Sequence, residues 1–150
     1  MGIITAKFTA ELENRDRVEI QSDDQGMVSS IRATGCLDLL TKVKTIKGLL
    51  PENAEKLFVF SDNDHSSLML NEIFLKALGQ WNLPYKEAEL CHCRAIPLQK
   101  VEAAIVSGFH TVEQVAEQTS AGTACGTCRP NTQSCIDYRL ADPKSKIRSS

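Results

Sequence analysis

Two short cysteine segments decide how this chain folds: CHCR at residues 91–94 and ACGTCRP at residues 124–130. The first contains a Cys-X-Cys pair and the second a Cys-X-X-Cys pair. The 31 residues between Cys93 and Cys125 have the pattern of short helices. A compact helical segment of this kind can bring both pairs together, so that four thiolates face one metal centre. We therefore treat Cys91, Cys93, Cys125 and Cys128 as candidate ligands.

Three kinds of site are compatible with this arrangement. Iron–sulfur clusters are held by cysteine thiolates, and four of them suit a [2Fe–2S] centre. Structural zinc also takes four cysteines, but usually from two Cys-X₂₋₄-Cys pairs, which the CHC segment does not provide. A redox disulfide between Cys125 and Cys128 would leave Cys91 and Cys93 without a role. The spacing alone modestly favours an iron–sulfur cluster over zinc.

Composition restricts the class of protein. Hydrophobic residues make up 42% of the 150 residues, enough for a packed core, and the net charge of −2 without long charge runs argues against a nucleic-acid surface. The first residues lack the pattern of a signal peptide, and no apolar run approaches membrane-spanning length. We expect a cytoplasmic protein that binds neither nucleic acid nor membranes. There, six cysteines indicate metal or redox chemistry rather than structural disulfides.

The distribution of cysteines divides the chain into modules. Residues 1–80 contain only Cys36, whereas residues 90–140 contain the other five. We predict a first module over 1–80, a linker over 81–89, a second module over 90–140 and a polar tail over 141–150.

The first module has the pattern of an antiparallel sheet. Val18 and Ile20 alternate with polar residues, a turn signal lies at residues 23–26, and residues 27–33 form a second strand-like run. Together these features predict a β-hairpin, to which residues 7–12 can add a third strand.

Helices are predicted in both modules. In the first, the apolar residues from Leu39 to Ile46 and those within residues 64–78 have helical spacing, and residues 57–60 form a short strand or a buried turn. In the second, Pro97 and Thr111 mark two helix starts, and the last helix runs from Arg129 to about Leu140. The predicted fold class is α+β: a sheet with helices, then a small all-α module.

The stretch from about Leu90 to Tyr138 resembles the bacterioferritin-associated ferredoxins, the BFD-like family. The resemblance rests on the order of the two cysteine pairs, their spacing, the helix start at residues 111–114 and the loop at residues 121–130. The same fold occurs as the central [2Fe–2S] domain of NifU proteins and as an insert in some reductases. The resemblance implies that Cys91, Cys93, Cys125 and Cys128 bind a [2Fe–2S] cluster within a small helical fold.

The first module resembles a diverged IscU/NifU N-terminal scaffold domain. The similar segments are VEIQSDDQGMVSSIRATGC at residues 18–36 and DHSSLMLNEIFLKAL at residues 64–78. The family's site uses three cysteines, of which Cys36 matches the second, the first is absent and the third aligns with Ser66. Because a hydroxyl is a poor substitute for a soft thiolate, the resemblance implies only a degenerate site at Cys36 and His65. A simpler interpretation makes Cys36 a small buried residue at a helix start and His65 a cap or surface residue.

The two resemblances together imply a NifU-like protein of iron–sulfur cluster assembly or transfer, without enzymatic turnover. Its second module would hold the cluster, and its first would dock a cysteine desulfurase or a recipient apo-protein. A homodimer could pool two copies of Cys36. One alternative is a ferredoxin-like one-electron carrier or redox-regulatory protein that meets a redox partner. Another is an adaptor in which the cluster only stabilises a small fold.

Overall fold

The computed structural model describes residues 6–12, 15–23, 27–58, 63–91, 94–121, 126 and 128–141. These residues form two compact units. The first is built on a sheet and two helices and contains the described residues up to 58 together with 66–81, and the second contains residues 63–65 and the described residues of 82–141. No helix in the described part of the chain has the length and apolar character that crossing a membrane requires.

The first unit contains a four-stranded antiparallel sheet in the order β1-β2-β3-β4. Its strands are β1 (Ala6–Leu12), β2 (Asp16–Ser22), β3 (Met27–Thr34) and the two-residue β4 (Glu52–Asn53). The predicted strands on either side of residues 23–26 and the predicted third strand are confirmed. Residues 24–26 of the predicted turn lie outside the described residues.

One face of this sheet is covered by the first helix. Alternate residues of β2 are buried, as expected of a strand with one face in the core, and Val18 and Ile20 are fully buried. Helix α1 (Leu37–Lys47) packs against β3 and buries Leu39. The buried residues of β2 and those of α1 therefore belong to the same hydrophobic core.

The helices of the first unit begin and end where polar or glycine residues stop the pattern. Cys36 is the N-cap of α1 and Gly48 is its C-cap. Helix α2 (His65–Ala77) is buried continuously from Ser66 to Leu75, as expected of a core helix. A short 3₁₀ turn (Ala54–Leu57) precedes the region for which a strand or buried turn was predicted at residues 57–60, of which 59 and 60 lie outside the described residues.

The second unit contains three helices and one short pair of strands. The elements are β5 (Glu89–Cys91), β6 (Ile96–Pro97), α3 (Leu98–Val106), α4 (Val112–Thr119) and α5 (Arg129–Leu140). The three helices lie where the sequence predicts them. The antiparallel pair of β5 and β6 departs from the all-α prediction. Strands of two and three residues are too short to produce an alternating pattern, so these strands could not be predicted from the sequence.

Polar contacts fix the helices of the second unit. The Thr111 side chain accepts a hydrogen bond from the Gln114 amide at 3.1 Å, which confirms the predicted N-cap of α4. On the buried side, the Arg139 guanidinium donates two hydrogen bonds to the Glu102 carboxylate, each at 3.0 Å. This bidentate pair joins α3 to α5. The first turn of α5 directly follows the predicted ligand Cys128.

Candidate metal centre

Two of the four predicted ligands lie in the described residues, and both are buried. Cys91 is the last residue of β5 and is 1% exposed, and Cys128 immediately precedes α5 and is 6% exposed. Neither is joined in a disulfide within the described residues, and both belong to the second unit. The other two, Cys93 and Cys125, lie outside the described residues.

The start of α5 orients Cys128. The Cys128 carbonyl accepts hydrogen bonds from the Thr132 amide at 3.0 Å and from the Thr132 hydroxyl at 3.2 Å, which closes the first helical turn. Pro130 lies in that turn, where its missing N–H removes no helical bond. The positive end of the helix dipole therefore lies next to the Cys128 sulfur and favours its anionic, metal-binding form.

The approach to Cys128 depends on a left-handed residue. Gly126 has φ +74°, a conformation that side chains other than glycine rarely adopt. Its carbonyl accepts a hydrogen bond from the Arg129 amide at 3.2 Å, directly before α5. The Arg129 guanidinium lies 3.9 Å from the Glu113 carboxylate, at the surface.

These residues fit a [2Fe–2S] cluster. A soft thiolate donor ends a strand and another precedes a helix of the same small unit, and both sulfurs lie in buried positions where an unligated thiolate would be unfavourable. The N-terminus of α5, which follows Cys128, supplies positive potential for an anionic centre. When bound, the cluster supplies one-electron redox chemistry or serves as a source of iron and sulfide.

Cys135 is not part of this donor set. It lies on α5 and is fully buried. Burial raises the pKa of the Cys135 thiol to about 12, with a further upward contribution from Glu102 and an opposing one from Arg139. A thiol that stays protonated at neutral pH is a poor metal ligand.

A second group of donors lies beside α1. Asp16, Cys36 and His65 each offer one ligand atom, and the three atoms lie within 4.8 Å of one another. His65 is the first residue of α2, so the buried helix that follows determines its position. The structure therefore brings together the two residues of the predicted degenerate site and adds an aspartate. Cys36 also has the predicted structural role at a helix start, because its sulfur accepts a hydrogen bond from the Leu39 amide at 3.4 Å.

Gly35 makes the position of Asp16 possible. The Cys36 amide donates a hydrogen bond to Asp16 Oδ1 at 3.0 Å. A Cβ on Gly35 would lie 2.2 Å from that same oxygen, and Gly35 has φ +145°. Asp16 was not among the predicted donor residues, although its position in the sequence is unusual for an acidic residue. It stands two residues before Val18 and four before Ile20, on the inward face of β2, where an acidic residue needs an explanation.

Ser66 is held in a polar cluster rather than presented as a ligand. Lys42 Nζ donates hydrogen bonds to Ser66 Oγ at 2.9 Å, to Ser67 Oγ at 3.1 Å and to Asp38 Oδ2 at 3.0 Å. The Ser66 hydroxyl in turn donates to Asp38 Oδ2. Both serines are fully buried, and Lys42 is 8% exposed. With an ammonium group next to its oxygen, Ser66 is a poor site for a second cation.

Comparison with known proteins adds independent information. The family profile described as "BFD-like [2Fe-2S] binding domain" matches residues 90–137. A 92-residue stretch covering 61% of the chain is 30% identical to the nitrite reductase (NADH) large subunit of Escherichia coli (strain K12), of which it spans 10%. No solved structure matches the chain.

The family match covers both cysteine pairs, and the two described members of those pairs, Cys91 and Cys128, lie in positions that fit the ligand role. The comparisons do not test the predicted IscU-like character of the first unit. Residues 90–137 form a BFD-like [2Fe–2S] binding domain, and this chain is an iron–sulfur protein whose cofactor is a [2Fe–2S] cluster.

Proposed function

We propose that this protein is NifU-like and acts in the assembly or transfer of iron–sulfur clusters, without enzymatic turnover. The observation that carries the proposal is the second donor group, Asp16, Cys36 and His65, whose ligand atoms lie within 4.8 Å of one another. A protein that only carries electrons through one stable cluster has no need of a further ligand set.

The composition of this donor group suits a transient cargo. One carboxylate oxygen, one thiolate and one imidazole match borderline ions such as Fe²⁺ or Zn²⁺. Three protein ligands leave a coordination position open, as in sites where the bound ion exchanges ligands. Because Ser66 already interacts with Lys42 and Asp38, it does not complete the set.

The proposal assigns different tasks to the two units. The second unit holds the [2Fe–2S] cluster as its resident cofactor, and the first unit accepts iron or sulfur as cargo. Its partners are then a cysteine desulfurase, which supplies sulfur, and a recipient apo-protein. A second copy of the chain could bring another Cys36 to a shared site.

The test measures metal binding at each unit and then cluster transfer. Anaerobically purified protein is expected to hold two irons and two sulfides per chain in the second unit, with an electron paramagnetic resonance signal after dithionite reduction. Added Fe²⁺ or Zn²⁺ is expected to occupy one further site. Cys36→Ala should abolish that uptake, whereas Cys135→Ala, which removes a buried thiol of the other unit, should leave it intact.

Transfer is measured by mixing the loaded protein with an apo-ferredoxin and following the circular dichroism of the acceptor's cluster. We expect the acceptor to gain a cluster. We also expect Cys36→Ala to slow either this transfer or the reloading of the donor protein afterwards. Absence of any additional metal site, together with no transfer, would refute the assembly role while leaving the [2Fe–2S] assignment in place.

A ferredoxin-like electron carrier is the second candidate. Two observations favour it: the similarity to a nitrite reductase (NADH) large subunit and the deep burial of Cys91 and Cys128. Buried ligands favour a cluster that stays in place. Rapid reduction of the protein by a flavoprotein reductase, without movement of iron to the acceptor, would support this candidate against the first.

A further inference from the structure

The residues that precede the family match are part of the second unit. The segment 82–89 lies outside residues 90–137, and it was predicted to be a linker. Its Leu83 is 7% exposed. The Asn82 amide donates a hydrogen bond to Tyr138 Oη on α5 at 2.7 Å, and the Leu98 amide donates to the Ala88 carbonyl at 2.7 Å. The segment is thus bonded at both ends to the helices around the cluster site.

Within this segment, Tyr85 bonds to the strand that carries a ligand. The Tyr85 hydroxyl shares its single proton between two acceptors, the Glu89 carbonyl oxygen at 2.5 Å and a Glu87 carboxylate oxygen at 3.0 Å. Glu89 is the first residue of β5, which ends at Cys91. The phenol therefore holds the strand two residues before the cluster ligand.

Strand β5 needs such a contact because its own pairing is weak. It has three residues, its partner β6 has two, and the register between them is irregular between Glu89 and Cys91. Short, irregular pairs contribute little stability by themselves. A hydrogen bond from outside the pair restricts the carbonyl of Glu89 and, through two peptide units, the Cys91 sulfur.

Tyr85 also lies within electrostatic range of the other described ligand. The pKa of Tyr85 is raised by partial burial, then by its hydrogen bond to Glu87 and by the negative charges of Glu87, Glu89 and Cys128. The raised pKa extends the pH range over which the phenol keeps its proton and can donate it.

We infer that Tyr85 is a positioning residue of the [2Fe–2S] site, which holds β5 so that Cys91 stays in ligand geometry. This inference rests on the second unit being the cluster-binding unit and is independent of whether the protein transfers clusters or electrons. It also extends the functional unit to Asn82, eight residues before the family match begins.

The experiment compares Tyr85→Phe with Tyr138→Phe in the full chain. Each variant removes one tyrosine hydroxyl that bonds to the same segment: Tyr85 bonds to the ligand strand at Glu89, and Tyr138 accepts from the Asn82 amide. Folding of both variants is verified by circular dichroism. We expect Tyr85→Phe to lose its cluster to a chelator about threefold to tenfold faster than wild type, as removal of one hydrogen bond allows. Its reduced-state electron paramagnetic resonance spectrum should also shift.

Tyr138→Phe should release the cluster within about twofold of the wild-type rate, with an unchanged spectrum, because its bond lies outside the ligand strand. Equal release rates in wild type and Tyr85→Phe, or equal effects of the two variants, would overturn the inference.

Amide hydrogen exchange in the metal-free chain gives a readout independent of the cluster. Exchange at Leu90 and Cys91 should be faster in Tyr85→Phe than in Tyr138→Phe. Should the wild-type protein bind no cluster, the cofactor assignment fails, and the exchange rates still decide whether Tyr85 holds β5.

Discussion

Replacing Lys42 with methionine tests the buried polar cluster that occupies the predicted third scaffold position. Methionine nearly preserves the volume of the lysine stem but removes its ammonium group. The three hydrogen bonds lost are those to Ser66 Oγ at 2.9 Å, Ser67 Oγ at 3.1 Å and Asp38 Oδ2 at 3.0 Å. The cost depends on how well each acceptor is solvated once the lysine is gone.

The serines and the aspartate contribute differently. Asp38 has 53% of its side chain exposed, so water replaces the ammonium and the loss is small. Ser66 and Ser67 are fully buried and accept from a charged donor, and such bonds contribute about 1.5–3 kcal/mol each. Ser66 keeps its bond to Asp38, which reduces its share. We expect Lys42→Met to lower the free energy of unfolding of the first unit by about 3 kcal/mol.

The assay is urea unfolding of the cluster-free chain, followed by the fluorescence of Trp81. This residue is the chain's single tryptophan and belongs to the first unit, so it reports on that unit. Lys44→Met on the exposed face of α1 is the matched control and should change stability by less than about 0.5 kcal/mol. A loss below about 1 kcal/mol for Lys42→Met, or an equal loss in the control, would refute the reasoning.

Three further predictions concern both units. Arg139→Met should destabilise the second unit by about 3–5 kcal/mol in thermal unfolding, because Glu102 is left buried without its cation, and adding Glu102→Leu should recover most of the loss. Gly35→Ala should abolish extra Zn²⁺ uptake measured by calorimetry, because its Cβ would displace Asp16. Since the pKa of Cys135 is raised to about 12 in the folded state, the unfolded state loses that proton first, and stability should fall from about pH 9 upward. Urea unfolding should show that this fall is weaker in Cys135→Ala.

Elements with a long repeating pattern were predictable from the sequence. The alternation at Val18 and Ile20 and the helical spacing from Leu39 to Ile46 are direct consequences of burial on one face. The cluster family was predictable because two close cysteine pairs in a fixed order are a specific chemical signature. The distance between the two pairs along the chain did not hinder this prediction, because each pair is a short local motif.

The features that escaped prediction depend on contacts between distant residues. Lys42 has the sequence appearance of a solvated helix residue, and only the packing of α2 places two serines against its ammonium group. Asp16 becomes part of a donor group only because β2 lies beside the loop at Cys36. Likewise, Tyr85 lies in a stretch with a proline and exposed residues, which the sequence suggests is a linker.

Removing the cluster should separate the contributions of the two units. The second unit, whose main part runs from Asn82 to Ala141, is close to the smallest size at which a hydrophobic core suffices alone, and it buries two of the predicted cluster ligands. The first unit has its own sheet and core and holds neither ligand. Chelation should therefore lower the thermal midpoint of the helical transition while Trp81 fluorescence unfolds at its former temperature. A parallel shift of both transitions would show that the first unit depends on the cluster, contrary to the division of tasks proposed for it.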